Sequence, residues 1–388
     1  MKDSFHEGKM LLHFHDPAKL KTKKVMYEET YYARDSGTLE QLKELSSGRR
    51  AFEESINGSS FITEAIAREM AGGTTSRIQQ DLQKLERYLP LLGNLVMCVE
   101  SVGDNHQILQ WTTDLKIRWT SSLSASSAFS LGGPKFFRID NLRFEYGMAL
   151  FLYGALLRER ALEFLSSDLV ESATLFRKAA GVYQYLAQDV LPPLQPKLTS
   201  ERPLEATPSV ASIMSLVSLA EAQSVTVRKA EAKATSGGLL AKLHYGVVQF
   251  LEEANSLLKS STGDWNDASE RFKRFLSGCS ILHEARSQRY IADDLKASEQ
   301  LGLAIGVLRY GMSNFQGKLP GEELWKQTFR QEIDALGQML RKCEHENEFI
   351  WHDRIPSLDE LPLLEGKKIV APITYKPVGL DREFMFIL

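Results

Sequence analysis

The sequence predicts an all-α protein, an elongated and curved helical solenoid built from tetratricopeptide-like helix pairs and finished by an extended, Pro-rich C-terminal segment. Three observations predict it. Seven consecutive segments of about 20 residues carry apolar side chains at the three- and four-residue spacing of amphipathic helices. The links between them are short, as expected of antiparallel neighbours. The chain beyond residue 346 carries Pro356, Pro362, Pro372 and Pro377, which preclude a long helix.

The clearest pair lies within Val210–Leu258. Val210–Lys233 is apolar nearly all round, so it belongs between neighbours. Its Ala220-Glu221-Ala222-Gln223 core uses small side chains that let a flanking helix approach closely. Ser236-Gly237-Gly238 makes a turn, with Ser236 as the N-cap, and Leu239–Lys259 follows. Leu240, Leu243, Val247, Phe250, Leu251, Ala254, Leu257 and Leu258 form its stripe; Leu239 lies at the edge of that stripe and Leu243 nearer its middle. Two helices cannot bury both faces alone, so further helices stack on each side.

Taken in order, residues 1–35 form a mixed arm. Met10–Phe14 is a short apolar run without helical period, readable as a strand. The basic run Lys19–Lys24 suits a solvated loop or contact with an acidic lipid surface. Thr38–Ile56 is the first strong helix and Phe61–Met70 a second piece. Ala71–Ser76 is a turn, with Ser76 capping the next helix; it lacks the Lys and the preceding strand of a phosphate loop. Ile78–Val102 is a long helix broken or kinked near Pro90. Trp111 and Trp119 read as packing anchors. Ser121–Ser130 and Gly132-Gly133-Pro134 read as an irregular loop. Then come Phe144–Leu165, Leu169–Val190, the pair above, Trp265–Ser287, Ile291–Met312 and Glu322–Glu344. Pro192–Thr207, with four prolines, reads as an extended link. The spacing of Phe176, Ala179, Ala180 and Tyr183 resembles tetratricopeptide repeats without a strict period. One unit over residues 1–388 is expected: an arm at 1–35, the solenoid at 38–345 and an extended segment at 346–388. That segment runs back along the helices with Leu361, Leu363, Leu364, Ile369 and Val370 packed in grooves.

Composition narrows the function. The apolar fraction is 43%, and charged residues are 25% with a formal net charge of −3, which argues against disorder and against a general nucleic-acid binder. Cys98, Cys279 and Cys343 are odd in number and widely spaced, which fits a reducing compartment rather than a disulfide framework. No window reads as the roughly 18 apolar residues of a membrane span. The N-terminus shows no signal region and no myristoylation site. The apolar end Phe384–Leu388 has no prenylation box, and its abruptness suggests a trimmed tail.

Little in the sequence points to catalysis or to a cofactor. His13-Phe14-His15 alternates but lacks a third metal ligand. His283-Glu284 lacks the second His of a zinc-protease helix. Cys343-Glu344-His345 has no partner thiol. His352-Asp353-Arg354 has no nucleophile nearby and reads as anchoring, with Asp353 capping and Arg354 pairing. No nucleophile elbow or kinase motif set occurs.

Two stretches, Leu219–Gln223 and Asn347–Pro356, resemble the best-marked segments of the Bro-one domain family, the boomerang domain of ALIX, rhophilin and the His-domain tyrosine phosphatase. Family members read Ala-Gln-Ala-Gln-Glu in the first and Asn-Asp-Phe-Ile-Tyr-His-Asp-Arg-Val-Pro in the second. The resemblance covers essentially the whole chain and is closest to free-standing members. It implies a cytoplasmic, non-enzymatic adaptor without cofactor, recruited peripherally to late endosomes and multivesicular bodies by the ESCRT machinery. It implies that the C-terminal amphipathic helix of an ESCRT-III filament subunit docks on a concave apolar patch. The patch positions fall on Thr226, Leu239, Leu243 and Ile369, and a family Lys that helps the docked helix falls on Arg177. Thr226 stands where ALIX-like members carry a large aromatic, a loss of about 1–3 kcal/mol of contact. Trp351 replaces a phosphorylatable Tyr, so that switch is missing. The alternative is a regulator that binds an ESCRT-I subunit through another surface; weak membrane contact is a further expectation.

Overall fold

The structure, a computed structural model, describes residues 11–58, 76–103, 105–125, 133–198, 201–315, 318, 321–380 and 382–387. The expected helical piece Phe61–Met70 and most of the turn before Ser76 lie outside the described residues, as does the loop after Ala125.

The helices are α1 (Ser36–Asn57), α2 (Arg77–Ser101), α3 (His106–Asp114), α4 (Leu142–Glu163), α5 (Leu169–Tyr185), α6 (Pro208–Glu231), α7 (Gly237–Ser260), the short α8 (Thr262–Asp267), α9 (Glu270–Ala297), α10 (Leu301–Phe315) and α11 (Glu323–Glu346). From α4 onward each long helix packs on its neighbour in the chain: α4 on α5, α5 on α6, α6 on α7, α7 on α9, α9 on α10 and α10 on α11. This nearest-neighbour order is what defines a solenoid. Side-chain caps fix the starts. Asp35 accepts from the Thr38 amide, Ser76 from Gln79, Asp168 from Val170 and Glu171, and Ser269 from Phe272. Ser236 occupies the cap position of α7 but makes no capping bond; the Gly238 amide donates to Asp294 of α9 instead, at 3.1 Å.

Several expectations are corrected. Pro90 neither breaks nor ends α2, which runs to Ser101. The run Ser287–Tyr290 is not a break: α9 is continuous to Ala297, and the chain turns at Ser298–Gln300, where Glu299 adopts φ 61°. The link after Val190 is not extended but folds into 3₁₀ turns at Pro192–Lys197 and Leu204–Ala206. Its Glu205 is buried and accepts from the Ser122 and Leu123 amides at 2.7 and 3.0 Å, so one carboxylate orders the start of the Ser121 loop. Helix α6 is long and apolar enough to cross a membrane, with mean hydropathy 1.4, contrary to the sequence expectation. Yet 83% of that window is buried among neighbours, as befits a core helix.

Residues 11–34 form no strand of their own. Leu11, Leu12 and Phe14 are buried, and Phe14 stacks on Phe275 at 4.8 Å. Two short strands that the sequence did not signal, β1 (Arg118–Thr120) and β2 (Phe136–Arg138), pair antiparallel, and Thr22 of the arm bridges to Trp119. Trp119 is fully buried, as an anchor should be. Its indole N–H donates to Glu145 of α4 at 2.6 Å, and Glu145 also receives the Arg49 guanidinium at 2.6 Å and the Tyr88 hydroxyl at 3.1 Å. One buried carboxylate therefore joins α1, α2, α4 and β1.

Residues beyond Glu346 run back across the helix train as expected. The Asp353 carboxylate accepts from the Gly302 amide and caps α10, while Arg354 pairs with Glu360 at 2.8 Å. Tyr375 packs on Tyr185, the Arg382 carbonyl accepts from Asn94 of α2, and the Ile387 amide donates to Tyr32. Leu361 and Val370 pack against the core, but Leu363 is 91% exposed and Ile369 45% exposed, so those two do not fill grooves. Trp351 ends a π turn and is also exposed.

Candidate functional site

The strap Gly366–Ile373 crosses α7, α6 and α5 in turn, and one side chain organises the crossing. Gln223 of α6 is fully buried. Its amide nitrogen donates to the Leu243 carbonyl at 2.7 Å and to the Lys367 carbonyl at 3.0 Å, and its oxygen accepts from the Ile369 amide at 3.0 Å. The Lys367 amide donates to the Lys242 carbonyl at 2.8 Å, and the Ile373 amide to the Arg177 carbonyl at 3.0 Å. An added Cβ on Gly246 would sit 2.4 Å from the Lys367 carbonyl oxygen, and one on Gly181 would sit 1.7 Å from that of Ile373. Only glycine lets the strap backbone lie this close to the helices.

This places the five expected site residues. Leu239 opens the exposed edge of α7 and is 37% accessible. Leu243, one turn on, is 4% accessible and packs with Val227 and Leu240 in a small separate cluster, so it supports the surface rather than forming it. Thr226 is half-buried, three residues beyond Gln223 on the same side of α6, and its hydroxyl is spent on the Ala222 carbonyl at 2.8 Å. Ile369 projects from the strap directly beyond the Gln223 clamp. Arg177 does not stand free: its Nε donates to the Ala371 carbonyl at 2.8 Å, though it makes no ion pair among the described residues. Gln223 thus brings the Leu243 and Ile369 backbones together, and Arg177 is joined to them only through the strap. On the other side of the strap lies an open groove of about 950 Å³ edged by Leu216, Gln249, Glu252, Leu257 and Lys368.

Sequence reasoning missed both the clamp and the glycine track. A signal existed: Gly181, Gly246, Gly302 and Gly306 sit inside helices, where each costs about 1 kcal/mol relative to Ala and so asks for a packing reason.

Beneath Leu243 lies a buried polar chain. Ser224 Oγ meets His283 Nε2 at 3.2 Å, His283 Nδ1 meets His244 Nδ1 at 3.0 Å, His244 Nε2 lies 3.4 Å from Glu231, and the Tyr290 hydroxyl donates to Glu231 at 2.6 Å. The order of residues looks like a nucleophile relay. However, Ser224 donates to the Ala220 carbonyl, and it faces only a closed gap of about 10 Å³, room for one water at most. Burial lowers both imidazoles below the ordinary 6.5, aided at His283 by Arg286 and His244. Burial would raise Glu231, but the hydrogen bonds from His244 and Tyr290 outweigh it and hold the carboxyl at about 2. Because the unfolded imidazoles take up protons first, stability falls as pH drops below 6.5. Thermal unfolding midpoints measured from pH 7.5 to pH 5 are expected to decline, and to decline less in His283→Gln.

The other chemistry-bearing pairs are structural. His13 and His15 stack at 5.8 Å, with His15 bound to Glu159 at 2.7 Å. Among the described residues no group of three His, Cys, Asp or Glu side chains is placed to hold a metal ion.

The BRO1-like domain family model matches residues 52–384. The mouse BRO1 domain-containing protein BROX is 26% identical over 300 residues, covering 72% of this chain and 70% of that protein; the human protein is 28% identical over 218 residues, about half of each chain. The Xenopus laevis programmed cell death 6-interacting protein is 23% identical over 273 residues, 70% of this chain but 30% of its own length. Among solved structures, one described as the ALIX BRO1 CHMP4C complex superposes with a TM-score of 0.66 at 19% identity, covering 93% of this chain and 96% of that one. Another, described as the structure basis for endosomal targeting by the Bro1 domain, gives 0.61 at 17% identity, covering 93% and 91%. These likenesses share the helical, boomerang-like fold.

Proposed function

Because this chain belongs to the BRO1-like domain family, we propose that it is a non-enzymatic adaptor whose apolar patch takes the C-terminal amphipathic helix of an ESCRT-III subunit at endosomal membranes. A structural relative is described in complex with CHMP4C and another in endosomal targeting, and both belong to this fold. The observation that carries the reading is the pair of exposed apolar side chains, Leu239 on α7 and Ile369 on the strap, fixed around Gln223. A rigid apolar face of this kind suits helix-in-groove binding, where anchors three or four residues apart enter adjoining depressions. In this reading Leu239 and Ile369 make contact, Leu243 holds the helix edge from below, and Arg177 contributes charge beside the strap.

Thr226 tunes the affinity. Its hydroxyl bonds only to its own helix, so enlarging the side chain breaks no tertiary hydrogen bond. Thr226→Phe is expected to tighten peptide binding about tenfold, a gain of ~1.4 kcal/mol from added apolar contact, checked by calorimetric titration.

The alternative, an ESCRT-I partner bound elsewhere, is favoured by the small side chain at Thr226. Pull-downs with matched ESCRT-III and ESCRT-I subunits separate the two. Retention of ESCRT-III by the wild type but not by Leu239→Asp supports the proposal; retention of ESCRT-I alone, unaffected by that change, overturns it.

A further inference from the structure

The basic arm and the small sheet form a charged surface that the helix-binding patch does not use. Thr120 N donates to the Lys21 carbonyl and Lys23 N to the Arg118 carbonyl, so the arm runs alongside β1 and joins it through the single antiparallel bridge at Thr22. In this ladder Thr22 of the arm, Trp119 and Phe137 stand in register and face the core. On one side of that row the side chains one position away face outward, whereas on the other side Thr120 is buried. The outward row reads Lys23, Arg118 and Arg138, with Arg118 directly opposite Arg138. All three are exposed, and Lys24, Lys116 and Lys135 flank them, also exposed.

Like charges directly opposite in a ladder are destabilising. The neighbouring anions offset them only in part. Asp140 pairs with Arg138 at 2.9 Å and Glu201 lies 3.8 Å from Lys135, while Lys21, Lys23, Lys24, Lys116 and Arg118 have no ion pair among the described residues. The core face of the sheet explains its fold but not its outward charge. In a chain of net charge −3, this concentration is local.

We infer that the outward face of the arm–β1–β2 ladder is a contact surface for phosphate-rich anionic lipid headgroups. Lys23, Arg118 and Arg138 stand side by side across the arm, β1 and β2, a row about 10 Å wide at ordinary strand spacing, which suits a membrane surface and is too short to track a nucleic-acid backbone. Nor does it offer a stacking platform for bases: Phe137 faces inward, and Lys23 lies over the Phe136 ring at 4.5 Å. This surface is argued from charge and register alone; its failure would leave the peptide-binding proposal standing, and the reverse holds too.

The test is co-sedimentation of the whole chain with vesicles of phosphatidylcholine, with and without phosphatidylserine, in low and high salt. The inference expects binding only to the anionic vesicles, weakened by salt, and at least roughly tenfold weaker in Lys23→Glu/Arg118→Glu. Arg341→Glu/Lys342→Glu on α11 makes the same change in net charge and is expected to bind as the wild type does. If charge reversal unfolds the sheet, as circular dichroism would reveal, Lys23→Gln/Arg118→Gln gives the same comparison. Competition by inorganic phosphate at constant ionic strength separates capture of a free anion from capture of a surface; only the latter resists it. Equal binding by wild type and ladder variants, binding to neutral vesicles, or binding to single-stranded RNA without binding to vesicles would each overturn the inference.

Discussion

Gly246→Ala is expected to destabilise the protein by about 2–4 kcal/mol and to loosen the C-terminal strap, although the same change in an exposed helix would stabilise it. Two effects oppose each other. Alanine is favoured over glycine in a helix interior by about 1 kcal/mol. Against this, the new methyl would lie 2.3 Å from the Gln223 amide nitrogen and 2.4 Å from the Lys367 carbonyl oxygen. Both neighbours are held: Gln223 is buried and the Lys367 backbone is pinned to Lys242. Relief requires the strap to move, which breaks the three Gln223 bonds, each worth about 1 kcal/mol net, and strands a buried amide at a further cost of ~1–3 kcal/mol. Urea denaturation gives the stability, and limited proteolysis between Glu360 and Tyr375 reports the loosened strap. Peptide affinity should fall with it, because Ile369 is placed by that clamp.

The second large effect belongs to Glu145. Its carboxylate receives Arg49, Tyr88 and Trp119, and both it and Arg49 are fully buried. Glu145→Ala takes from the buried Arg49 guanidinium its closer carboxylate, leaving only Glu53 at 3.2 Å, and leaves an indole N–H without an acceptor, a loss of about 3–5 kcal/mol. Glu145→Gln keeps the shape and an acceptor oxygen but not the charge, so it should lose less. Arg49→Met/Glu145→Leu removes both charges and should recover part of the stability, because no guanidinium is left buried without its partner, although the Trp119 indole N–H still lacks its acceptor. Denaturant midpoints for the three variants check this order.

These two sites also mark how far the sequence could be read. The helix train was legible because burial on a solenoid imposes 3.6-residue periodicity on each element, and Leu239 and Leu243 already lay at the edge and near the middle of one stripe. Their accessibilities of 37% and 4% follow that placement. The break expected between Ser287 and Ile291 falls inside α9, where Arg286 and Arg289 both bind Glu332 of α11. The actual turn depends on a left-handed Glu299, which composition does not announce. Strands of three residues are too short to show alternation, so β1 and β2 were not visible. The strap's extension followed from its prolines, whereas its path depends on backbone contacts to Gly181, Gly246 and Gly302 that no periodicity encodes. Thr226, Ile369 and Arg177 entered through the family resemblance. Gln223, the residue that joins strap to helices, stood inside the best-marked motif without its role being readable.

The central claim is that Leu239 and Ile369, set around the Gln223 clamp, form the docking face for a partner helix. The most direct test is calorimetric titration of an ESCRT-III C-terminal helix peptide into the wild-type chain and into Leu239→Asp/Ile369→Asp. Both side chains are exposed, so the double variant should keep its fold and its circular dichroism spectrum. The account predicts micromolar-range binding by the wild type, about −8 kcal/mol, and a loss of at least roughly a hundredfold in the variant. Undiminished binding by the folded variant, or no binding by the folded wild type, would contradict it.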